Sequence, residues 1–80
     1  MATWDGVTDG RRVLAEGDRG EAVLELQLRL RRAGYRVPAD GVFGAATERS
    51  VRDFQAGRGL FADGVVGRRT ARALAPTDPR

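Results

Sequence analysis

Hydrophobic residues recur at helical spacing in the first half of the chain. When successive residues are placed about 100° apart around a helix axis, one face of residues 20–33 becomes apolar. Its members are Ala22, Val23, Leu26, Leu30 and Ala33. Asp18 and Glu21 have the spacing of a capping box, and Gly34 can end a helix in a left-handed conformation. We therefore predict a first helix over residues 20–33, with this face in the core.

Two shorter segments continue the helical periodicity. Residues 45–56 and 68–74 predict a second and a third helix. Their expected buried positions are Thr47, Ser50, Val51, Phe54, Ala71 and Leu74. Pro76 and Pro79 oppose a longer third helix, because proline lacks the backbone N–H that a helix interior requires. The pattern predicts an all-α fold, a small three-helix bundle.

One loop sequence occurs twice, before the second and before the third helix. Residues 40–44 read Asp-Gly-Val-Phe-Gly and residues 63–67 read Asp-Gly-Val-Val-Gly, and a threonine stands three residues after each. Asp-Gly favours a turn, because the Asp side chain bonds the nearby backbone and Gly accepts a positive φ. The apolar residue before the second Gly, Phe43 or Val66, is expected to point into the core. Each copy therefore predicts a loop that anchors its centre and begins a helix.

A second repetition is interleaved with the first. Val-x-x-Leu-Gln at residues 23–27 returns as Val-x-x-Phe-Gln at residues 51–55. The polar members, Gln27 and Gln55, lie next to the predicted core face. Each amide could bond the backbone of an Asp-Gly loop and fix the helix against it, or it could bond a ligand.

The ends of the chain carry less pattern than its centre. Residues 1–13 are interpreted as a flexible N-terminal arm, from which Trp4 lies down on the rest of the chain. Residues 14–75 are predicted to form one domain, and residues 76–80 a C-terminal tail. Eighty residues allow no more than one domain.

Two leucines lie on the wrong side of the first predicted helix. Leu24 and Leu28 are one turn apart and opposite the apolar face, where polar residues are expected. We expect Trp4 or Val7 of the arm to cover them. The alternatives are a second copy or a partner protein, or simple exposure.

The residue inventory excludes most catalytic chemistry. The chain has no histidine and no cysteine, which removes the usual nucleophile dyads and zinc sites. Asp40 and Asp63 form a possible carboxylate pair, but each is interpreted as closing its own turn. A glycosidase pair needs a cleft with one carboxyl group in an apolar pocket, which the sequence does not predict. We expect no enzyme activity, no metal and no cofactor.

The net charge leaves one further class of function to consider, nucleic-acid binding. Fourteen basic residues, all arginine, and eleven acidic residues give a net charge of +3. A small basic helical protein could bind DNA through Arg68, Arg69 and Arg72 of the third helix. Acidic residues are interspersed, however, and the two longer helices carry Glu21, Glu25, Glu48 and Asp53. We therefore expect no nucleic-acid partner. Because the chain has no long apolar run, we also expect no membrane partner and no signal peptide.

These motifs together resemble the peptidoglycan-binding domain 1 family. The resemblance rests on the following residues: Leu14, Gly17, Gly20, Val23, Leu26, Gln27, Leu30, Gly34, Tyr35, Asp40, Gly41, Val42, Phe43, Gly44, Thr47, Val51, Phe54, Gln55, Gly59, Leu60, Asp63, Gly64, Val66, Gly67, Thr70 and Leu74. It covers residues 14–74. The resemblance implies a three-helix domain that attaches cell-wall hydrolases and related proteins to peptidoglycan.

The implied ligand directs attention to exposed aromatic and basic residues. Tyr35 and Phe61 could stack on a sugar ring, or they could cover the edge of the bundle. Arg36, Arg68 and Arg69 could be solvated surface residues, and if they bind ligand they suit the carboxylates of stem peptides. The candidate ligand-binding residues are Tyr35, Arg36, Asp40, Phe43, Gly44, Phe61, Arg68 and Arg69. Leu24 and Leu28 are candidates for contact with a partner protein, which would make the chain an assembly module of a wall-penetrating apparatus. In either case we expect the chain to act at the bacterial cell wall, exported by another route, within a larger protein or carried by an assembly.

Overall fold

Residues 3–74 are described by a computed structural model, and within them the fold is helical. The helices are α1 (Thr3–Thr8), α2 (Glu21–Arg32), α3 (Ala45–Gly57) and α4 (Arg68–Ala73). No strand occurs among these residues, so the all-α prediction is confirmed. The three predicted helices are α2, α3 and α4, with ends that differ from the prediction by one residue. The predicted C-terminal tail lies outside the described residues.

Helix α1 corrects the interpretation of the N-terminus as a loose arm. Thr3–Thr8 is helical, and it packs against α2 and α4. Trp4 and Val7, three residues apart, are both buried. The Trp4 ring lies 4.9 Å from the Arg29 guanidinium carbon, and Arg29 also donates to the Leu74 carbonyl at 3.2 Å. Tertiary burial therefore stabilises a helix that is too short to persist alone.

The segment between α1 and α2 joins the two repeated loops. Leu14 exchanges two backbone hydrogen bonds with Val66 of the second loop, at 3.1 and 2.8 Å. A few residues later, Gly20 N–H donates to Gly41 O of the first loop at 2.9 Å, and Phe43 N–H donates to Asp18 O at the same distance. Short antiparallel bridges thus hold both loops to one strip of backbone.

The core contains every large apolar side chain predicted for it. Leu26, Leu30, Phe43, Val51, Phe54, Val66 and Leu74 are buried, together with Val23 and Ala22. Ala33 was also predicted to be buried, but it is exposed, because α2 ends at Arg32 and the chain turns away. Leu14 and Val37 join the core from the connecting segments.

The start of α2 also departs from the predicted capping box. Gly20 precedes the helix with φ 121°, and no side chain caps it. Asp18 instead accepts a hydrogen bond from the Ala15 N–H at 2.9 Å and closes the preceding turn. At the other end of α2 the prediction is confirmed, since Gly34 has φ 97° and Tyr35 N–H donates to Leu30 O at 3.0 Å.

Candidate ligand-binding groove

Gln27 fixes the first repeated loop to α2. Its Oε1 accepts the Gly41 N–H at 2.8 Å, and its Nε2 donates to Val42 O at 3.0 Å. The same Nε2 lies 3.1 Å from Asp40 Oδ1 and 3.0 Å from Thr47 Oγ1. The amide is fully buried, so the polar edge of the loop is satisfied inside the protein.

Gln55 repeats this arrangement at the second loop. Its Oε1 accepts the Gly64 N–H at 2.9 Å, and its Nε2 donates to Val65 O at 2.9 Å. Asp63 Oδ1 and Thr70 Oγ1 complete the set at 3.2 and 3.0 Å. The structural interpretation of both glutamines is confirmed, and their amides are occupied by the loops.

The Asp residues of the loops close their own turns, as predicted. Asp40 Oδ1 accepts the Val42 N–H at 3.0 Å, and Asp63 Oδ1 accepts the Val65 N–H at the same distance. The bond from Val42, and after it the bond from Gln27, hold the pKa of the Asp40 carboxyl below its ordinary value. Asp40 is therefore an ionised acceptor near neutral pH, which is the opposite of what a general acid requires.

An open groove of about 380 Å³ lies beside the second loop. We call it the loop-2 groove, and its lining residues are Val13, Gln55, Gly59, Leu60, Phe61, Asp63, Val65, Gly67, Arg68, Arg69 and Thr70. It brings together three of the predicted site residues, namely Phe61, Arg68 and Arg69. The Phe61 side chain is 84% exposed, which is unusual for a ring of this size in so small a protein. An apolar surface and two arginines therefore face the same space.

A second groove of about 410 Å³ lies beside the first loop. This loop-1 groove is lined by Arg19, Gly20, Glu21, Leu24, Asp40, Gly41 and Val42. It contains one arginine and two carboxylates, whereas the loop-2 groove contains two arginines and one carboxylate. The duplicated loops are therefore alike in backbone and hydrogen bonding but opposite in the charge that surrounds them.

Of the remaining ligand-binding candidates, Asp40 lines the loop-1 groove, whereas Tyr35, Arg36, Phe43 and Gly44 line neither groove. Tyr35 packs edge-to-face on Phe54, with ring centroids 5.8 Å apart, and so covers the core. Arg36 is exposed, and its carbonyl accepts a hydrogen bond from Ser50 Oγ at 2.6 Å. Gly44 begins α3.

Phe43 has to be withdrawn as a ligand-binding candidate. It is only 1% exposed, because its ring is packed in the core and anchors the first loop there. A ring in that position cannot contact a surface ligand without unfolding the loop.

The N-terminal helix does not cover the two leucines on the outer face of α2. Leu24 is 36% and Leu28 39% exposed, while Trp4 packs over Arg29 instead. The expectation that the arm covers them is therefore wrong. Arg29 is the next residue after Leu28 and therefore projects from α2 in a direction about 100° away. A Trp4 ring that packs on Arg29 therefore does not lie over the leucines.

Val13 and Leu60 line the loop-2 groove although the sequence did not indicate them as site residues. Val13 is 53% exposed at the end of the N-terminal segment, and Leu60 follows the left-handed Gly59 after α3. Their exposure depends on which parts of the chain meet, and no local pattern reports that.

Within residues 3–74, no cluster of three or more His, Cys, Asp or Glu side chains could hold a metal ion. None of the helices described is long and apolar enough to cross a membrane.

Comparisons with known proteins agree with this architecture. A zinc D-Ala-D-Ala carboxypeptidase of Streptomyces albus G is 44% identical over 63 residues, a match that covers 72% of this chain and 22% of the carboxypeptidase. The crystal structure of the SleB N-terminal domain is 44% identical with a TM-score of 0.76, and the match covers 79% of this chain and 88% of that one. A Burkholderia AP3 phage endolysin is 44% identical with a TM-score of 0.78, over 86% of this chain and 27% of the endolysin.

The family model described as a putative peptidoglycan binding domain matches residues 19–74. This range contains both repeated loops, both buried glutamines and helices α2 to α4. The chain spans about a quarter of the length of the carboxypeptidase and of the endolysin, so the match concerns one module of those proteins. The chain belongs to the putative peptidoglycan binding domain family.

Proposed function

We propose that the chain is a non-catalytic module that attaches an associated protein or assembly to the peptidoglycan of a bacterial cell wall. The observation that carries this proposal is the loop-2 groove, where the exposed ring of Phe61 stands beside Arg68 and Arg69. Family membership supplies the class of ligand, and the groove supplies a surface with matching chemistry.

Peptidoglycan offers two kinds of group to such a groove. Its sugar rings present apolar faces that pack on an aromatic ring, a role that suits Phe61. Its stem peptides carry carboxylates, and a guanidinium presents a planar fork of donors that matches a carboxylate. Arg68 and Arg69 are both exposed and can turn toward such a group. Tyr35, Arg36, Asp40 and Gly44 lie outside the loop-2 groove, and we place the primary contacts at Phe61 and the two arginines.

The absence of histidine and cysteine in the sequence supports a binding role rather than catalysis. Asp40 and Asp63 are held by their own loops and by Gln27 and Gln55. A carboxylate whose oxygen accepts hydrogen bonds within a turn stabilises that turn, and those bonds serve the loop rather than a substrate.

An open groove on a small domain favours shallow binding. The affinity of a single module is then low. Tethering the module to an enzyme, or repeating it in an assembly, compensates because it raises the effective concentration at the wall. The carboxypeptidase and the endolysin are longer than this chain, which supports attachment to a larger protein. We therefore place its action at the cell wall.

Co-sedimentation with purified cell-wall sacculi tests this function. We expect the parent chain to sediment with sacculi, and Phe61→Ala to weaken binding. The double variant Arg68→Ala with Arg69→Ala should weaken it about tenfold or more, since each lost charge-assisted hydrogen bond is worth about 1.5–3 kcal/mol when fully formed.

A matched control separates the groove from general attraction to an anionic wall. Arg31→Ala with Arg32→Ala removes the same charge from the exposed C-terminal end of α2. This variant should bind as the parent does. Equal losses from the two pairs would mean that net charge, and not the groove, holds the chain to sacculi.

A second candidate function is supported by the outer face of α2. Leu24 and Leu28 are each more than a third exposed, and Leu24 continues into the loop-1 groove beside Val42, which is 41% exposed. We propose as the alternative that this apolar surface contacts a partner protein in an assembly. It lies on a different groove from Phe61, so the two functions are separable.

A further inference from the structure

The segment before the family match contributes to the loop-2 groove. The match begins at residue 19, whereas Val13 lines the groove. Gly10, at φ 83°, lies against Arg68, so that a Cβ added there would be 3.5 Å from Arg68 Cδ. The carbonyl of Thr8 accepts a hydrogen bond from Arg72 Nε at 3.2 Å. The N-terminal segment therefore touches α4 at Arg68, which lines the groove, and at Arg72, which does not.

This segment is held on both sides of Val13. On the N-terminal side of Val13, the α1 side chains Trp4 and Val7 are buried and fix that helix against α2 and α4. After it, Leu14 is fully buried and bonded twice to Val66 of the second loop. Val13 is thus an exposed side chain on an anchored backbone, as expected of a preorganised contact residue.

We propose that Val13 forms a wall of the loop-2 groove, and that the segment of residues 8–13 holding it helps to select an anionic ligand with an apolar flank. Val13 supplies apolar contact with the ligand. Gly10 positions Arg68 by packing, and the Thr8 carbonyl holds the segment to α4 through its hydrogen bond from Arg72. The inference rests on the proposed function, since it assigns further residues to the same groove.

The chemistry of the wall follows from its neighbours. The charged residues that line the groove are Arg68, Arg69 and Asp63, and Asp63 already accepts bonds from Val65 and Gln55. A carboxylate added on the wall would compete with an anionic ligand for the two arginines. An uncharged group of the same size would not, so charge at the wall is a direct probe of the inference.

Substitutions at Val13 test the contact. We expect Val13→Glu to weaken binding of the parent chain to purified sacculi about tenfold, and Val13→Gln to weaken it much less. Val42→Glu is the matched control, because Val42 is similarly exposed but lines the loop-1 groove. It should bind sacculi as the parent does.

A second pair of variants, matched in shape to each other, tests the positioning role. Gly10→Asp and Gly10→Asn have nearly the same volume, and both residues tolerate a positive φ better than most others. Only Asp brings a carboxylate next to Arg68. We expect Gly10→Asp to bind sacculi several-fold more weakly than Gly10→Asn at low salt, and the difference to shrink as salt screens the new ion pair.

Thermal melts of every variant establish that the compared chains are folded. If Phe61→Ala weakens binding while the Val13 and Gly10 variants all bind as the parent does, the wall is overturned and the proposed function stands. If the parent itself is not retained by sacculi, both are overturned. If Val13→Glu unfolds, the Gly10 pair decides alone.

Discussion

At the scale of single residues, two buried amides organise the molecule. Gln27 and Gln55 each accept a hydrogen bond from one glycine N–H and donate one to a valine carbonyl, so each loop is bonded to a buried side chain of the core. Replacing either amide would leave buried loop groups without partners, at about 1–3 kcal/mol for each group. The carboxylates beside them matter for a different reason, because their charge depends on pH.

The Asp40 turn should lose strength in acid. Its pKa is lower in the folded chain than its ordinary value, chiefly through the Val42 N–H. Ionised Asp40 therefore contributes stability that is complete above the unfolded pKa, near pH 4, and is lost as the pH falls through the folded pKa. Asp40→Asn keeps an oxygen for the Val42 N–H but does not titrate.

The measurement is the melting temperature of parent and Asp40→Asn between pH 2 and pH 7. Other carboxylates titrate in both chains, so the informative quantity is the difference between the two curves. We expect the parent to lose more stability than the variant below about pH 4. Parallel curves would show that the turn is indifferent to the charge of Asp40.

At the scale of elements, the sequence predicted what is local. Asp-Gly loops, the apolar face of α2 and the left-handed Gly34 were all recognisable, because each depends on residues a few positions apart. Helix α1 was not predicted, since six residues with a central glycine have little tendency to form a helix without Trp4 and Val7 being buried. The bridges from residues 14–20 to both loops were missed because such pairing is set by the tertiary fold.

The candidate site was predictable only in part for the same reason. Residue types identified Phe61, Arg68 and Arg69, and the fold brings them to one groove. The types could not distinguish Phe61 from Phe43, one ring almost fully exposed and the other buried. The position of Phe43 between two polar turns did predict an inward ring, and the ring is buried as that position predicts.

The first loop allows a controlled test of its backbone. Gly41 has φ 75°, and a Cβ there would lie 3.4 Å from the Gly20 carbonyl oxygen, so Gly41→Val combines strain with a backbone contact. We expect it to lower the free energy of unfolding by about 2 kcal/mol or more. Gly44 in the same loop has φ −106° and open space, so Gly44→Ala should cost less than about 1 kcal/mol. Urea titrations of the two variants measure both values, and similar losses would contradict the turn assignment.

At the scale of the whole molecule, two surfaces of different chemistry are presented by one small core. The loop-2 groove carries an aromatic ring and two arginines, whereas the outer face of α2 carries Leu24 and Leu28. The core and the hydrogen bonds of the loops serve both surfaces. A change on one surface that leaves the core intact should therefore not affect the other.

The double variant Leu24→Glu with Leu28→Glu tests this independence. Both side chains are more than a third exposed, so the fold should survive with a loss of about 1–2 kcal/mol of burial. Binding to sacculi should equal that of the parent, because neither leucine lines the loop-2 groove. Phe61→Ala provides the reverse case, with weakened sacculi binding and unchanged sedimentation behaviour.

Analytical ultracentrifugation reports what the leucines contact. If the parent is a dimer that the double variant turns into a monomer, a second copy covers the outer face of α2. A monomeric parent excludes the second copy and leaves a partner protein or simple exposure as the alternatives. Leu24→Gln with Leu28→Gln is the uncharged control, since it removes the apolar surface without adding repulsion. A fall in sacculi binding as large as that of Phe61→Ala would contradict the separation of the two surfaces and would place both on one continuous ligand-binding face.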